Sequence, residues 1–495
     1  MAQGISKSFI KSSFIYSFIG ALPLASSVLL LPFYGNSDLL STEDLGLLAI
    51  YIALSELVRI LFIYSADNYL GINYIHNSDT PEQKRRFIGT TALFLIIFGG
   101  GMAMIFSAVG DFLFTFIFPG KDVSFYPYGF LSILTGLFAG IFRAYTVLIV
   151  YRQKPRPYFW SNMLHFVLVV VFSVGGLYLF PMSLDGPIWG RFISATATFV
   201  WTMVYFGRES RFKYSKSVLS DLIKYCSPLF VFYLLSWIIA NIDRYFILGI
   251  LSEKDVAVFD FAVKITLMID LVQGGLSAAI NPKVFQIWKR NGDKQEGSVE
   301  INKYFNGFTV INQISMPLLF IAVVLFVPLI ITNTDLYQSF SYLPVLFAGM
   351  VSKVWFLYLL TPVYYFKKTQ ILPFAFAFVA LIQVITTYGF INLFGIEGAV
   401  WANFLIKILQ VIVLYFFVKR FYSFSINAWK FIFYPVMYIL ILLATTLFFS
   451  DVNIYLVSAS HLIILIITGY ILFKKELIPF FKSLAPFKKN QHSIQ

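Results

Sequence analysis

The sequence predicts an all-α polytopic membrane protein of about fourteen transmembrane helices. Two parallel six-helix repeats come first, two further helices follow, and both termini lie in the cytoplasm. Three observations lead there: composition, the placement of Lys and Arg, and a weak internal repeat. Of 495 residues, 59% are hydrophobic and 12% charged, with a mean hydropathy of +0.79. A soluble domain keeps roughly 25% charged residues to stay solvated, so this chain is solvated mainly by lipid. A spanning helix takes ~20 apolar residues, and the length has room for fourteen. The single Cys226 excludes an intrachain disulfide, and four scattered His argue against a metal centre or other resident cofactor.

Apolar runs place the first six spans near 9–33, 45–66, 88–110, 126–150, 159–181 and 187–206. The next six lie near 224–250, 256–282, 305–331, 341–366, 371–392 and 397–418, and two more near 430–449 and 454–473. The charges between spans justify this order. Lys7 and Lys11 flank the start of the first span, and the second returns the chain to Lys84, Arg85 and Arg86. The fourth ends at Arg152, Lys154 and Arg156, and the sixth at Arg208, Arg211, Lys213, Lys216 and Lys224. The eighth is followed by Lys283, Lys289, Arg290, Lys294 and Lys303, and the tenth by Lys367 and Lys368. The twelfth leads to Lys419, Arg420 and Lys430, and the last to Lys474, Lys475, Lys482, Lys488 and Lys489. These segments hold 28 of the 37 basic residues, while the intervening loops hold only Lys121 and Lys254.

Cytoplasmic loops carry the excess of Lys and Arg, so the alternation sets an even number of spans and cytoplasmic termini. It also explains most of the net charge of +13, leaving no nucleic-acid partner to invoke. The first span is too long for a cleaved signal peptide, and thirteen others follow it. The basic loops 207–224 and 283–304 read as topology anchors.

The repeat has an offset near 212. "LSTEDLGLL" at 40–48 matches "LSEKDVAVF" at 251–259, "GPIWGRF" at 186–192 matches "GAVWANF" at 398–404, and "YRQK" at 151–154 answers "YFKK" at 365–368. Each pair occupies equivalent places in two halves. The expected division is therefore 1–220, 221–425 and a C-terminal pair of helices with its tail at 426–495. Six spans per half make the repeats parallel, a plan that transporters use with a binding site between the halves.

Seven basic residues fall inside spans: Arg59, Arg143, Arg191, Arg244, Lys264, Lys353 and Lys407. Glu56, Asp243, Asp260, Asp270 and, at a helix edge, Glu397 accompany them. A charge at the bilayer centre costs ~2.5–3.5 kcal/mol even on the lenient insertion scale, so these groups are expected to face water or one another. Glu56 and Arg59 stand three apart and Asp260 and Lys264 four apart, both spacings at which helical side chains meet. Asp243 and Arg244 are adjacent and point roughly 100° apart, so each needs its own partner. Lys353 and Lys407 have no acid at helical spacing. Lys407 lies on a polar stripe with Asn403 and Gln410, and Asp270 on one with Thr266, Gln273 and Ser277. Arg191 and Glu397, near helix ends, read as snorkelling side chains. Together the cations suggest a wet, cationic cavity between the halves.

"NIDRYFILG" and "LSEKDVAVFDFAVKI", spanning the seventh and eighth helices, resemble the Wzx-type polysaccharide flippases. That family shares a superfamily with multidrug exporters and lipid II flippases. Asp243, Arg244 and Tyr245 match its Asp–Arg–Tyr, whereas Ala257 and Phe259 stand where Gly and Tyr are usual. "STEDLG" at 41–46 is similar to its first external loop, and "GIEGAVWAN" at 395–403 to the start of its twelfth helix. The resemblance implies a flippase carrying a polyprenyl-diphosphate-linked oligosaccharide, such as an O-antigen or lipopolysaccharide precursor. The cargo would move from the inner to the outer leaflet of the bacterial cytoplasmic (inner) membrane. Membrane lipids, other polysaccharide-assembly proteins and a coupling proton or sodium ion are the partners it suggests.

Arg59, Lys353 and Lys407 are expected to hold the diphosphate, Arg143 to stand nearer the cytoplasmic mouth, and Arg244 and Lys264 to line the outward exit. Glu56, Asp243, Asp260 and Asp270 are assigned to coupling or gating. No Walker loop is present, so a gradient or the membrane potential would drive transport. An exporter of organic cations is the alternative within the superfamily, and an acid-lined cavity would suit it better. A membrane oligosaccharide polymerase would need large external loops, and these are short.

Overall fold

The computed structural model describes residues 22–74, 80–121, 123–448 and 454–484, without the side chains of 23–25, 278, 454–455 and 475–484. Lys7, Lys11, Lys488, Lys489 and the first half of the 9–33 span lie outside the described residues. The helices in chain order are α1 (Leu22–Leu29), α2 (Thr42–Ile63), α3 (Pro81–Ile117), α4 (Phe130–Tyr151), α5 (Pro155–Leu179), α6 (Asp185–Ser210) and α7 (Lys216–Ile250). There follow α8 (Glu253–Arg290), α9 (Val299–Ile330), α10 (Leu343–Tyr365), the 48-residue run Ile371–Val418, α13 (Tyr434–Phe448) and α14 (Ile454–Leu484). Gly395, at φ 61° and ψ −140°, divides that run into α11 (371–394) and α12 (396–418). Such a positive φ is open to Gly and strained for other residues, so one glycine separates the two spans expected there.

By length and composition, ten helices among the described residues can cross a membrane. Dividing the long run in two, and adding the more charged α6 and α8 together with α1, is compatible with fourteen. The chain is an all-helical, multi-pass membrane protein. Its exposed side chains suit lipid: Phe112 and Phe116 on α3 are 71% and 75% exposed, and Leu179 on α5 is 76% exposed.

Local signals set several helix ends. The α2 helix starts at Ser41, whose hydroxyl accepts from the Asp44 amide at 3.0 Å, with Glu43 and Asp44 in the first turn. Such a cap contributes ~1 kcal/mol. Left-handed Tyr64 and Ser65 end α2, and the chain restarts as the short helix Ala66–Ile72. For α3 the start is a reciprocal Thr80–Gln83 capping box with Pro81 in the first turn.

The chain divides into two compact units. One comprises Met1–Leu267, Val327–Phe340 and Gln370–Ile406; the other comprises Met268–Phe326, Ser341–Thr369 and Lys407–Gln495. The core of the first includes Tyr34, Tyr51, Phe62, Phe87, Phe125 and Phe206. The second is built around Trp288, Phe305, Tyr434 and Tyr438, and Trp355 Nε1 donates to the Phe431 carbonyl at 2.6 Å.

Candidate functional site

In the first unit, Asp243 and Arg244 turn to different neighbours, as their angular separation requires. Arg244 Nε donates to Asp260 Oδ1 at 2.7 Å, and Lys264 Nζ lies 2.6 Å from Asp260 Oδ2. One carboxylate on α8 thus holds two cations, and Asp260 and Arg244 are buried. Arg244 also donates to the Ala240 carbonyl at 3.0 Å. The expected Asp260–Lys264 pair is present, with Arg244 as an added partner. Both cations are committed to Asp260 in this conformation rather than open to an anion.

Asp243 is fully buried and faces α11 and α12. Its carboxylate accepts from Gln383 Nε2, from Thr387 Oγ1 at 3.1 Å and from Asn403 Nδ2 at 3.2 Å. The side-chain oxygens of Gln383 and Asn403 are buried without a protein partner. Three donors thus converge on the buried carboxylate, bonds that favour its charged form. Among the described residues no cluster of three or more His, Cys, Asp or Glu occurs.

A second group joins α2 and α4. Arg143 Nε lies 3.0 Å from Asp67 Oδ2, with the Arg143 side chain 52% exposed and that of Asp67 only 7%. The Arg59 stem runs close to α4, where a Cβ on Gly140 would lie 3.1 Å from Arg59 Cγ. Arg143, Glu56 and Asp67 are the charges that act on Arg59. The expected Glu56–Arg59 pair does not close: Glu56 is exposed, and among the described residues it forms no ion pair. Helical spacing permits that contact, but an exposed carboxylate gains little by it. Asp67 pairs with Arg143 instead, and no ion pair of Arg59 forms among the described residues. Asp67 sits just beyond the expected span end, after the left-handed break.

The second unit holds Lys353, Asp270 and Lys407. Lys353 Nζ on α10 lies 2.5 Å from Asp270 Oδ1 on α8. Lys353 thus has an acid that its own helix does not supply, and its side chain stays 33% exposed. Lys407 Nζ approaches Met350 Sδ at 3.5 Å. In the same unit Gln273 Nε2 donates to Asn312 Oδ1 at 2.7 Å and to the Met350 carbonyl at 3.0 Å. In the first unit, Glu397 is exposed at the start of α12, as a helix-end acid should be.

On the side that the Lys and Arg pattern assigns to the outside, three loops of the first unit are fastened together. Lys254 Nζ lies 2.8 Å from Asp335 Oδ2, and Thr42 Oγ1 donates to the same oxygen at 3.0 Å. Asn333 Nδ2 donates to Thr42 Oγ1 at 2.9 Å, and the Asn333 amide to the Gly35 carbonyl at 3.0 Å. A Cβ on Gly46 would lie 1.9 Å from the Glu253 carbonyl oxygen, so α2 meets the first turn of α8 backbone to backbone. The hydrogen bond it donates to Asp335 holds the exposed Lys254 ammonium above its ordinary pKa. At the ends of α3, α4 and α6 that the Lys and Arg pattern assigns to the cytoplasm, Arg152 donates to Tyr74 at 3.0 Å, to Glu209 at 2.5 Å and to Tyr205. Lys84 also pairs with Glu209. Burial opposes ionisation of Glu209, which lies beyond the 187–206 span. The bonds from Arg152 and Lys84 prevail and draw its carboxyl down to about 2.

The profile of a family described as "Polysaccharide biosynthesis protein" matches residues 37–334, more than half of the chain. No curated protein matches. Among solved structures of similar fold is "Lipid II flippase MurJ, inward closed conformation", with a TM-score of 0.66 and 16% identity over 95% of this chain and 100% of that one. Another is an inward-facing "multidrug resistance MATE family transporter of the MOP superfamily", with a TM-score of 0.59 and 16% identity over 81% and 94%. An outward-facing MATE family structure follows at 0.57 and 14% identity, over 83% and 95%. At such identities the likeness is one of fold.

Proposed function

The chain belongs to the polysaccharide biosynthesis protein family, and from that premise we propose that it is a flippase for a polyprenyl-diphosphate-linked oligosaccharide. The membrane would be the bacterial cytoplasmic membrane, and the direction inner to outer leaflet, supplying O-antigen or lipopolysaccharide assembly. The observation that carries this reading is the set of intramembrane cations whose side chains stay partly open, Arg143 at 52% and Lys353 at 33%. An anionic headgroup needs such cations in a low-dielectric passage, where charge-assisted bonds are strong. Arg59 and Arg143 would serve as one station for the diphosphate, Lys353 and Lys407 as another. Arg can grip phosphate through two parallel hydrogen bonds, while Lys acts as a point charge. Each acid already paired there sets a threshold: cargo must displace Asp67 from Arg143, or Asp270 from Lys353.

Transport would proceed by alternating access of the two six-helix halves, without ATP chemistry. Moving two negative charges out of an inside-negative cell gains ~4.6 kcal/mol per 100 mV. The Asp243 carboxylate would carry the coupling ion, a proton or sodium, which would replace bonds it now accepts from Gln383, Thr387 and Asn403. Arg244, Lys264 and Asp260 would act as a gate: the cations reach the cargo only when Asp260 releases them. Glu56, exposed near Arg59, would tune that station. Assembly proteins that use the exported lipid would be further partners.

Reconstituted protein should move a fluorescent polyprenyl-diphosphate oligosaccharide across liposome membranes. Organic cations should neither be transported nor compete. Transport of organic cations with no movement of the lipid would favour the multidrug reading and overturn this one.

A further inference from the structure

Arg191 is the intramembrane cation that the transport reading leaves without a task. A helix-end arginine is expected to snorkel toward the interface, but here the side chain lines a small pocket between α2, α4 and α6. Leu48, Tyr51, Ile52 and Ser55 form its α2 wall, Ser132 and Thr135 its α4 wall, and Ile188 stands beside Arg191. Arg191 Nε is buried and meets no hydrogen-bond partner. Among the described residues no carboxylate forms an ion pair with it. Glu56, next to Ser55 in sequence, is exposed and does not line the pocket. His165 on α5 is the titratable group on which the Arg191 charge acts.

The donors at this place are unevenly used. Tyr51 gives its hydroxyl proton to the Ser124 carbonyl at 2.7 Å, and Ser55 gives its own to the Tyr51 carbonyl at 3.0 Å. Ser132 and Thr135 make no hydrogen bond among the described residues. The pocket therefore presents a guanidinium and two hydroxyls, all able to donate, against apolar walls and no acid. A buried guanidinium N–H left without an acceptor is unfavourable. A negative ligand relieves it, and hydroxyl and guanidinium donors together suit a small anion.

We propose that Arg191, Ser132 and Thr135 form a binding site for a small monovalent anion of halide size, chloride being the probe. The pocket is too narrow for a sugar or a diphosphate, which sets it apart from the cargo stations. The anion would tie α2, α4 and α6 together near the side assigned to the outside. This inference does not depend on the cargo.

The test is the thermal stability of the full-length protein in detergent, titrated with sodium chloride against sodium gluconate at constant ionic strength. Wild type should show a saturable rise in Tm with chloride and with bromide, and none with gluconate. Arg191→Gln should lose the rise, and Thr135→Val should shift its midpoint to higher chloride by several-fold. Should Arg191→Gln fail to fold, Thr135→Val and Ser132→Ala carry the test. A rise identical in these two variants and wild type, or no halide-specific rise in wild type, would overturn the proposal. Bromide supplies a direct second readout, because its anomalous scattering in crystals must peak beside Arg191.

Discussion

Replacing Asp260 with Asn keeps the shape of the side chain but removes the charge that lies between Arg244 at 2.7 Å and Lys264 at 2.6 Å. Two cations then face each other in a buried place, and each loses a charge-assisted bond. Breaking a buried pair by removing one partner costs ~3–5 kcal/mol. With two cations stranded, the upper half of that range is expected. Stability of a whole domain is only ~5–15 kcal/mol, so the variant should melt on the order of 5–10 °C lower. Lys264→Met is the control, because Asp260 keeps Arg244 and the loss should be smaller. Adding Lys264→Met to Asp260→Asn should recover part of the stability, since one fewer cation is left unpaired. Melting by tryptophan fluorescence, with monodispersity checked by size exclusion, reads all three. A single variant within 1 °C of wild type, or a double variant less stable than Asp260→Asn alone, would refute the reasoning.

Gly46→Leu should prevent the outer loops from closing, because even a Cβ would meet the Glu253 oxygen at 1.9 Å. Cysteine labelling from outside should then increase at α2 and α8 while flipping falls at least ten-fold; unchanged labelling would contradict a closed outer contact here. Asp243→Asn should abolish any dependence of flipping on the proton or sodium gradient while leaving potential-driven flipping measurable; retained ion dependence would remove Asp243 from coupling. The Glu209 carboxyl is depressed in the folded state, so its pairing with Arg152 and Lys84 stabilises above the unfolded value near 4.5. That contribution fades as pH falls toward about 2. Wild type should lose stability across that window more steeply than Glu209→Gln, and parallel pH profiles would contradict the assignment.

The fold was legible because bilayer physics leaves two strong marks on a sequence, hydrocarbon length and the sidedness of Lys and Arg. Each span expected after the first has a helix in the described residues, and Gly395 explains why two of them form one continuous run. Pairings were legible only along a single helix, and only where both partners are buried. Asp260–Lys264 formed; Glu56–Arg59 did not, since spacing allows contact but solvent exposure removes the incentive. Partners on other helices left no local mark. Asp270 lies 83 residues from Lys353, and Gln383 lies 140 residues from Asp243. Asp67 escaped notice because Tyr64 and Ser65 break α2 and carry the chain back into the same helix cluster. The pocket beside Arg191 was hidden for a related reason. Nearness to a helix end suggests snorkelling, whereas the pocket that Arg191 lines also takes Ser132 and Thr135 from α4.

The proposed function requires open intramembrane cations to move an anionic lipid-linked cargo. Its most direct test compares flipping by wild type with Arg143→Gln and with Lys353→Gln, at matched protein levels and intact fold. The cargo is a fluorescent polyprenyl-diphosphate oligosaccharide in proteoliposomes under an imposed inside-negative potential. The account predicts flipping that accelerates with potential in wild type and falls at least ten-fold in each variant. Flipping that ignores the potential and survives both substitutions would contradict it.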